Sequence, residues 1–211
     1  MNEPQIEIRT LPGPADPIAD ELVLLYESAF PLQFRDDVTD FTNSISGGHR
    51  HIAIAIDRAN GDTLAGFYSI KGDSPEAADP FLYLPYFAVH SHYRGRRLVG
   101  PLLWESLIDV AERRQVRAIL LEVENEADDP EFSHKRIRFY MHQSRWPARL
   151  LLGEYRFFQR IAGRPDAPQM YLMVAAPTPD MQPEEAYALC ASCFGDAIVR
   201  TGESVTLHDS I

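Results

Sequence analysis

Apolar and polar positions along this chain alternate with two periods, near two and near 3.6, and their order predicts the elements. Ile6 to Arg9 alternates as a short first strand. Asp16-Pro17 reads as a helix cap with proline in the first turn, and Ile18, Leu22, Leu25 and Ala29 then recur at helical spacing until Phe30-Pro31. The segment to Asn43 holds Phe34, Arg35, Asp36, Asp37 and Phe41 as a second short helix after a loop, and Ser46-Gly47-Gly48 breaks it. His51 to Ile56 and Thr63 to Ile70 are strands joined by an Asn60-Gly61 hairpin turn. After a polar loop, Phe81 to Val89 is a central apolar strand.

Leu98 to Arg113 is a helix expected to turn Leu98, Leu102, Leu107 and Val110 toward the core, with Trp104 packing and Pro101 in the tolerant first turn. Ala118 to Glu124 is a buried strand. Asp129-Pro130 repeats the cap pattern and opens a helix to about Gln143. Arg149 to Phe158 is a strand, and Met170 to Ala175 is the last core strand. Strands in a meander, then strand-helix-strand-helix-strand-strand, give a mixed α/β sheet. Pro177 to Pro183 reads as a linker, Glu184 to Ala197 as a further helix, and Val199 to Ile211 as a polar end.

Composition narrows the function. The 211 residues, 45% of them apolar, suffice for one ordinary domain with a tail. No apolar run reaches bilayer length, and the polar amino end lacks a signal-peptide core, so a cytoplasmic protein off the membrane is expected. A net charge of −11 argues against nucleic-acid binding. On so acidic a chain, the cluster Arg94, Arg96 and Arg97 suits a small anionic ligand. Cys190 and Cys193 form a C-x-x-C pair with no second pair, on an apparent helix, and read as apolar filling rather than a redox or zinc centre. His49 and His51 flank Arg50 without further ligands nearby, so no metal is expected.

The stretch LPYFAVHSHYRGRRLVGPLLWESL, Leu84 to Leu107, reads as strand, arginine-bearing turn and helix. A helix start presents unpaired N–H groups and the positive end of its dipole, and arginines beside it add donors suited to phosphate oxygens. Phe87-Ala88-Val89, Tyr93-Arg94-Gly95, Leu98 and Leu102-Leu103 resemble the acyl-CoA signature of the GNAT superfamily of N-acetyltransferases, Arg/Gln-x-x-Gly-x-Gly/Ala. Arg94 takes the first position. Arg97 and Val99 stand where the signature has small residues. The resemblance spans roughly Gln5 to Pro177 and divides the chain into a GNAT-like domain, 1–177, and a carboxyl-terminal helix and polar extension, 178–211.

That resemblance implies a mostly antiparallel central sheet flanked by helices and an acyl-CoA co-substrate, most simply acetyl-CoA. Arg94, Gly95, Arg96, Arg97, Leu98 and Val99 would hold its pyrophosphate, and Phe87, Ala88 and Val89 its pantetheine. The acceptor would be a small-molecule or peptide amine. Tyr140 takes the superfamily's place for the acid that protonates the leaving thiolate. Glu122 and Glu124 share one strand face. Either could serve as base, pair with arginine or face outward, and Glu124 is nearer the carboxyl end. Pro85 and Tyr86 replace a glutamate found on the central strand in related patterns. Phe30, Phe34, Tyr83 and Tyr86 suggest an aromatic-lined acceptor cavity. A non-catalytic CoA-binding or interaction module with the same fold is the alternative. The last helix is free to cap the sheet edge or to join two subunits as a homodimer.

Overall fold

In the computed structural model the described residues are 3–48, 50–71, 80–124, 130–152, 155–158, 169–178, 180–195, 198–200 and 206–208. They divide into two compact units. One comprises Met1–Ala78 and Leu84–Arg114, the other Asp79–Tyr83 and Gln115–Ile211. Each is a mixed α/β body with a mostly antiparallel sheet.

The first unit holds β1 (Ile6–Thr10), α1 (Ala19–Ala29), α2 (Val38–Ser46), β2 (Arg50–Asp57), β3 (Thr63–Lys71), most of β4 (Phe81–Val89) and α3 (Val99–Arg113). Its strands lie in the order β1-β2-β3-β4, with β1–β2 and β2–β3 antiparallel. The hairpin turns at Gly61, whose φ of 69° lies in the left-handed region that glycine enters freely. Alternation along β3 sends Phe67 to the face covered by α1 and α2, while Tyr68 meets Ser106 of α3 on the other. Burial alternates strictly along β4, with Leu82, Leu84, Tyr86 and Ala88 inside.

Gly66 marks a close approach. A Cβ there would stand 2.7 Å from the Ala88 carbonyl oxygen, 3.0 Å from Leu103 Cδ1 and 3.2 Å from Val99 Cγ1. Gly66→Ala is therefore expected to lower stability by about 1–3 kcal/mol, because the first of these neighbours is backbone. Urea unfolding reads this as a lower midpoint at constant slope, and an unchanged midpoint would refute it.

The second unit holds the first residues of β4, then β5 (Ala118–Glu124), α4 (Pro130–Met141), β6 (Ala148–Leu152), β7 (Tyr155–Phe158), β8 (Gln169–Ala175), α5 (Pro183–Phe194), β9 (Ile198–Arg200) and β10 (Thr206–His208). Its strands run β5-β8-β6-β10, with β7 also on β8 and β9 on β7. The single strand expected over Arg149–Phe158 is two. Between the pairs Leu151↔Leu172 and Phe157↔Met170, six steps on one side oppose two on the other, so the ladder is interrupted.

Other expectations are corrected as well. The polar end is not all irregular: Thr206–His208 pairs antiparallel with β6, and Ile198–Arg200 with β7. Helix α5 stops at Phe194, before the expected Ala197, where Gly195 takes φ 55° and ψ −128°. Leu102 is 37% exposed rather than core-facing, while Leu103, Trp104 and Leu107 fill that face of α3. Asp16 does not cap α1 at the helix boundary. Its Oδ1 takes the Ile18 N–H at 2.9 Å and both its oxygens are held by Arg9, so α1 begins at Ala19. Salt-bridging to Arg9 holds the Asp16 carboxyl below its ordinary range. The cap expected at Asp129, like His49, lies outside the described residues.

Candidate active site

The arginine turn is built on a buried anchor. After β4 the chain makes a 3-10 turn, Ser91–Tyr93, and Tyr93 drops its ring inward. Its hydroxyl donates to Asp57 Oδ2 at 2.9 Å and lies 3.2 Å from Thr63 Oγ1. Asp57, 4% exposed, also accepts from the N–H groups of Gln5 and Ala59. His90 N–H donates to the Ala65 carbonyl at 2.9 Å and ties the strand end to β3. The turn is thus fixed from below, and its arginines remain exposed above.

Gly95 has φ 78° and Arg97 φ 52°. Arg97 therefore holds a left-handed backbone although its side chain disfavours one, at about 1–2 kcal/mol. Val99, the other position lacking a small residue, points away from the turn into the core, 1% exposed and close to Gly66. Among the described residues, none accepts from the N–H groups of Gly95, Arg96, Arg97, Leu98, Val99 or Gly100. Pro101 has no N–H to satisfy. These amides surround the positive end of the α3 dipole.

The three arginines differ. Arg94 Nε donates to the Val89 carbonyl at 2.9 Å, which leaves its terminal nitrogens outward. Arg96 lies over the Tyr93 ring at 5.8 Å, and Arg97 is exposed. The Val89 carbonyl assigned to pantetheine already accepts a bond from Arg94. Phe87 turns its ring to Trp104 of α3, 6.4 Å between centroids, and Ala88 lies on the opposite, buried face.

The expected aromatic residues fall in two places. In the first unit, Tyr26 stacks on Phe41 at 3.8 Å and meets Tyr86 edge-on at 4.9 Å, and Phe30 meets Tyr86 at 5.0 Å. Tyr86 and Phe34 are buried and Phe30 is half-buried, so the set is packed core on its inner side. Each such pair contributes about 0.5–1.5 kcal/mol beyond its burial. The Asp36 N–H donates to Tyr86 Oη and Tyr26 Oη donates to the Asp36 carbonyl, both at 3.0 Å. Burial pushes the Tyr26 phenol up to about 12 and Tyr86 higher still. Tyr83 falls in the second unit, where its hydroxyl donates to Glu122 Oε1 at 2.8 Å and its ring meets Phe194 edge-on.

Glu124, Arg136 and Tyr140 form a group in the second unit. Arg136 and Tyr140 are four apart on α4 and share a face, and α4 packs on β5, which carries Glu124. Arg136 Nη1 pairs with Glu124 Oε1. Burial raises the Tyr140 phenol well above its ordinary value, Arg136 pulls it down and Glu124 pushes it up. The phenol therefore holds its proton at neutral pH. Arg136 was not singled out from sequence. Its spacing from Tyr140 is the signal that could have found it, because i and i+4 meet on a helix. Cys190 is fully buried on α5, neither cysteine is in a disulfide among the described residues, and burial pushes the Cys190 thiol up, which makes it a poor nucleophile.

Comparisons with known proteins bear on the whole arrangement. No curated protein matches the chain. Among solved structures, Arabidopsis thaliana NAA60 in complex with a bisubstrate analogue is 24% identical with a TM-score of 0.59, over 81% of this chain and 97% of that one. An aminoglycoside 6'-N-acetyltransferase complexed with coenzyme A is 17% identical with a TM-score of 0.57, over 83% and 99%. An IAA acetyltransferase from Bacillus cereus is 14% identical with a TM-score of 0.53, over 82% and 100%. At these identities the likeness establishes the fold. The family model described as Acetyltransferase (GNAT) family matches residues 16–142. That match runs from just ahead of α1 to just past α4, takes in the arginine turn, and covers more than half of the 211 residues, so the chain belongs to the GNAT family of acetyltransferases.

Proposed function

We propose that this protein transfers an acyl group, acetyl in the simplest case, from acyl-CoA to a primary amine by direct attack within a ternary complex. The observation that carries the reading is the run of six N–H groups from Gly95 to Gly100, unpartnered among the described residues, beside Arg94, Arg96 and Arg97. Such a cradle suits a diphosphate. Support comes from relatives of the same fold, one described in complex with acetyl-CoA and one with coenzyme A.

In this reading the amine nitrogen attacks the thioester carbonyl, the C–N bond forms and the C–S bond breaks. One proton leaves nitrogen and one reaches sulfur, and Tyr140 is assigned the second. The raised phenol suits that role because it stays protonated until the thiolate appears. Glu124 is tied to Arg136, so its assignment as base requires that pair to loosen, and Glu122 with Tyr83 or an ordered water is an alternative acceptor for the first proton. The CoA-binding module without turnover draws on the same pairing and on Pro85 and Tyr86.

Thermal unfolding with acetyl-CoA, longer acyl-CoAs and free CoA, followed by amine-dependent thiol release, separates the readings. A rise in Tm together with amine-dependent release supports the transferase. A rise without release across a broad amine panel leaves the module, and no rise with any of them removes both.

A further inference from the structure

Two guanidinium groups, Arg35 between α1 and α2 and Arg50 at the start of β2, are buried in the first unit with unequal ion-pair partners. Arg35 and Arg50 have side chains only 11% and 7% exposed. Arg50 lies over the Tyr86 ring at 5.2 Å and Arg35 over the Tyr26 ring at 5.6 Å, so both sit on the same aromatic set. Asp36 answers Arg50, with Arg50 Nη2 donating to its Oδ2 at 2.6 Å. Among the described residues Arg35 makes two long hydrogen bonds, both at 3.5 Å. One is from Nη1 to the Asp36 carbonyl and the other from Nη2 to Oε1 of Glu27, itself 44% exposed. Arg35 Nε and Arg50 Nη1 are buried without a hydrogen-bond partner among the described residues.

A buried guanidinium with unmet donors is costly, more so than a neutral group, and calls for an explanation. The nitrogens of Arg35 that lack a good partner, Nε and Nη2, form one edge of the guanidinium. That edge is a planar fork, which a carboxylate fills with two parallel bonds. Among the described residues, Glu27 is the carboxylate that pairs with it. Its contact, to Nη2, is long and its side chain half-exposed, which makes it the weaker of the two ion pairs. The position is informative too. Tyr86, under Arg50, lies on β4, the strand that leads into the arginine turn, and all of these residues belong to the first unit.

Resting on the transferase reading above, we propose that the amine acceptor carries a carboxylate, which displaces Glu27 and binds side-on to Nε and Nη2 of Arg35. Arg50 and Asp36 hold the neighbouring backbone in place. The acceptor class is then amino-carboxylates, with the carboxylate held at Arg35 and the amine left free for acylation.

The test compares each of a panel of α- and ω-amino acids with its carboxamide, using the full chain saturated with acetyl-CoA. Both thermal stabilisation and thiol release are read. At least one acid is expected to stabilise and react about tenfold or more better than its amide, the yield of a charge-assisted pair. Arg35→Gln should erase that ratio while acetyl-CoA affinity stays unchanged. Arg35→Lys, which keeps the charge but not the fork, should restore part of it. Because the ratio is taken within one protein, a general loss of stability cancels. Equal responses to acids and amides, including no response to either, overturn the proposal, as does a ratio that survives Arg35→Gln. Carboxylate-dependent stabilisation without thiol release would instead strike the transferase reading and leave the carboxylate subsite standing.

Discussion

Reversing the charge at Arg94 is expected to weaken acetyl-CoA binding by about a hundredfold, because a charge-assisted bond is replaced by repulsion at the diphosphate. The geometry makes this arginine the sharpest probe of the turn. Its Nε is anchored on the Val89 carbonyl, so the terminal nitrogens are held outward without a large loss of freedom. Arg96 rests on Tyr93 and Arg97 is exposed, so each is freer to move and expected to matter less. Titration calorimetry at low ionic strength is the measurement, since salt screens exposed charges. Arg94→Gln should fall between wild type and Arg94→Glu. Undiminished affinity in Arg94→Glu would remove the phosphate role. The amides from Gly95 to Gly100 remain in either variant, so residual binding is expected rather than none.

Replacing Tyr140 by phenylalanine should lower turnover by at least tenfold and by as much as about 10²–10⁴, the usual contribution of a positioned acid, with acetyl-CoA affinity nearly unchanged. The phenol is buried beside the Glu124–Arg136 pair, and phenylalanine keeps the volume and removes only the hydroxyl. A fall in kcat with binding preserved is the mark of a group used only as the bond breaks. Single-turnover kinetics with saturating acetyl-CoA reads it, and equal rates would take Tyr140 out of the mechanism. Burial is the largest influence on this phenol and raises it. Its protonated form therefore persists to higher pH than that of a free tyrosine, and the acid limb of activity should extend correspondingly to the alkaline side.

Much of the fold was legible because period alone carries it. The period-two and helical patterns mark β4 and α3 and put Trp104, Leu107 and Val110 inside without knowledge of neighbours, whereas the inward place expected of Leu102 belongs to Leu103. Where elements end depends on partners instead. Strands β9 and β10 are short and polar in part, and only the edges of β7 and β6 make them strands. The break between β6 and β7 is likewise a matter of register with β8, which no local pattern encodes.

The candidate site divides along the same line. The arginine turn at the start of α3 and the shared face of the two glutamates of β5 are local signals of spacing or face, whereas the tyrosine of α4 was singled out through the family resemblance. Folding decided how these groups are engaged. Arg97 keeps a left-handed turn without glycine, because Tyr93 anchors that turn to buried Asp57, which no side-chain pattern announces. Glu124 meets Arg136, and Tyr86 joins a packed aromatic set rather than simply lining a cavity. Charge balance around Arg35 and Arg50 likewise emerges only when residues distant in sequence share a dry environment, since the strength and cost of a charge depend on what surrounds it and not on the residues beside it in the chain.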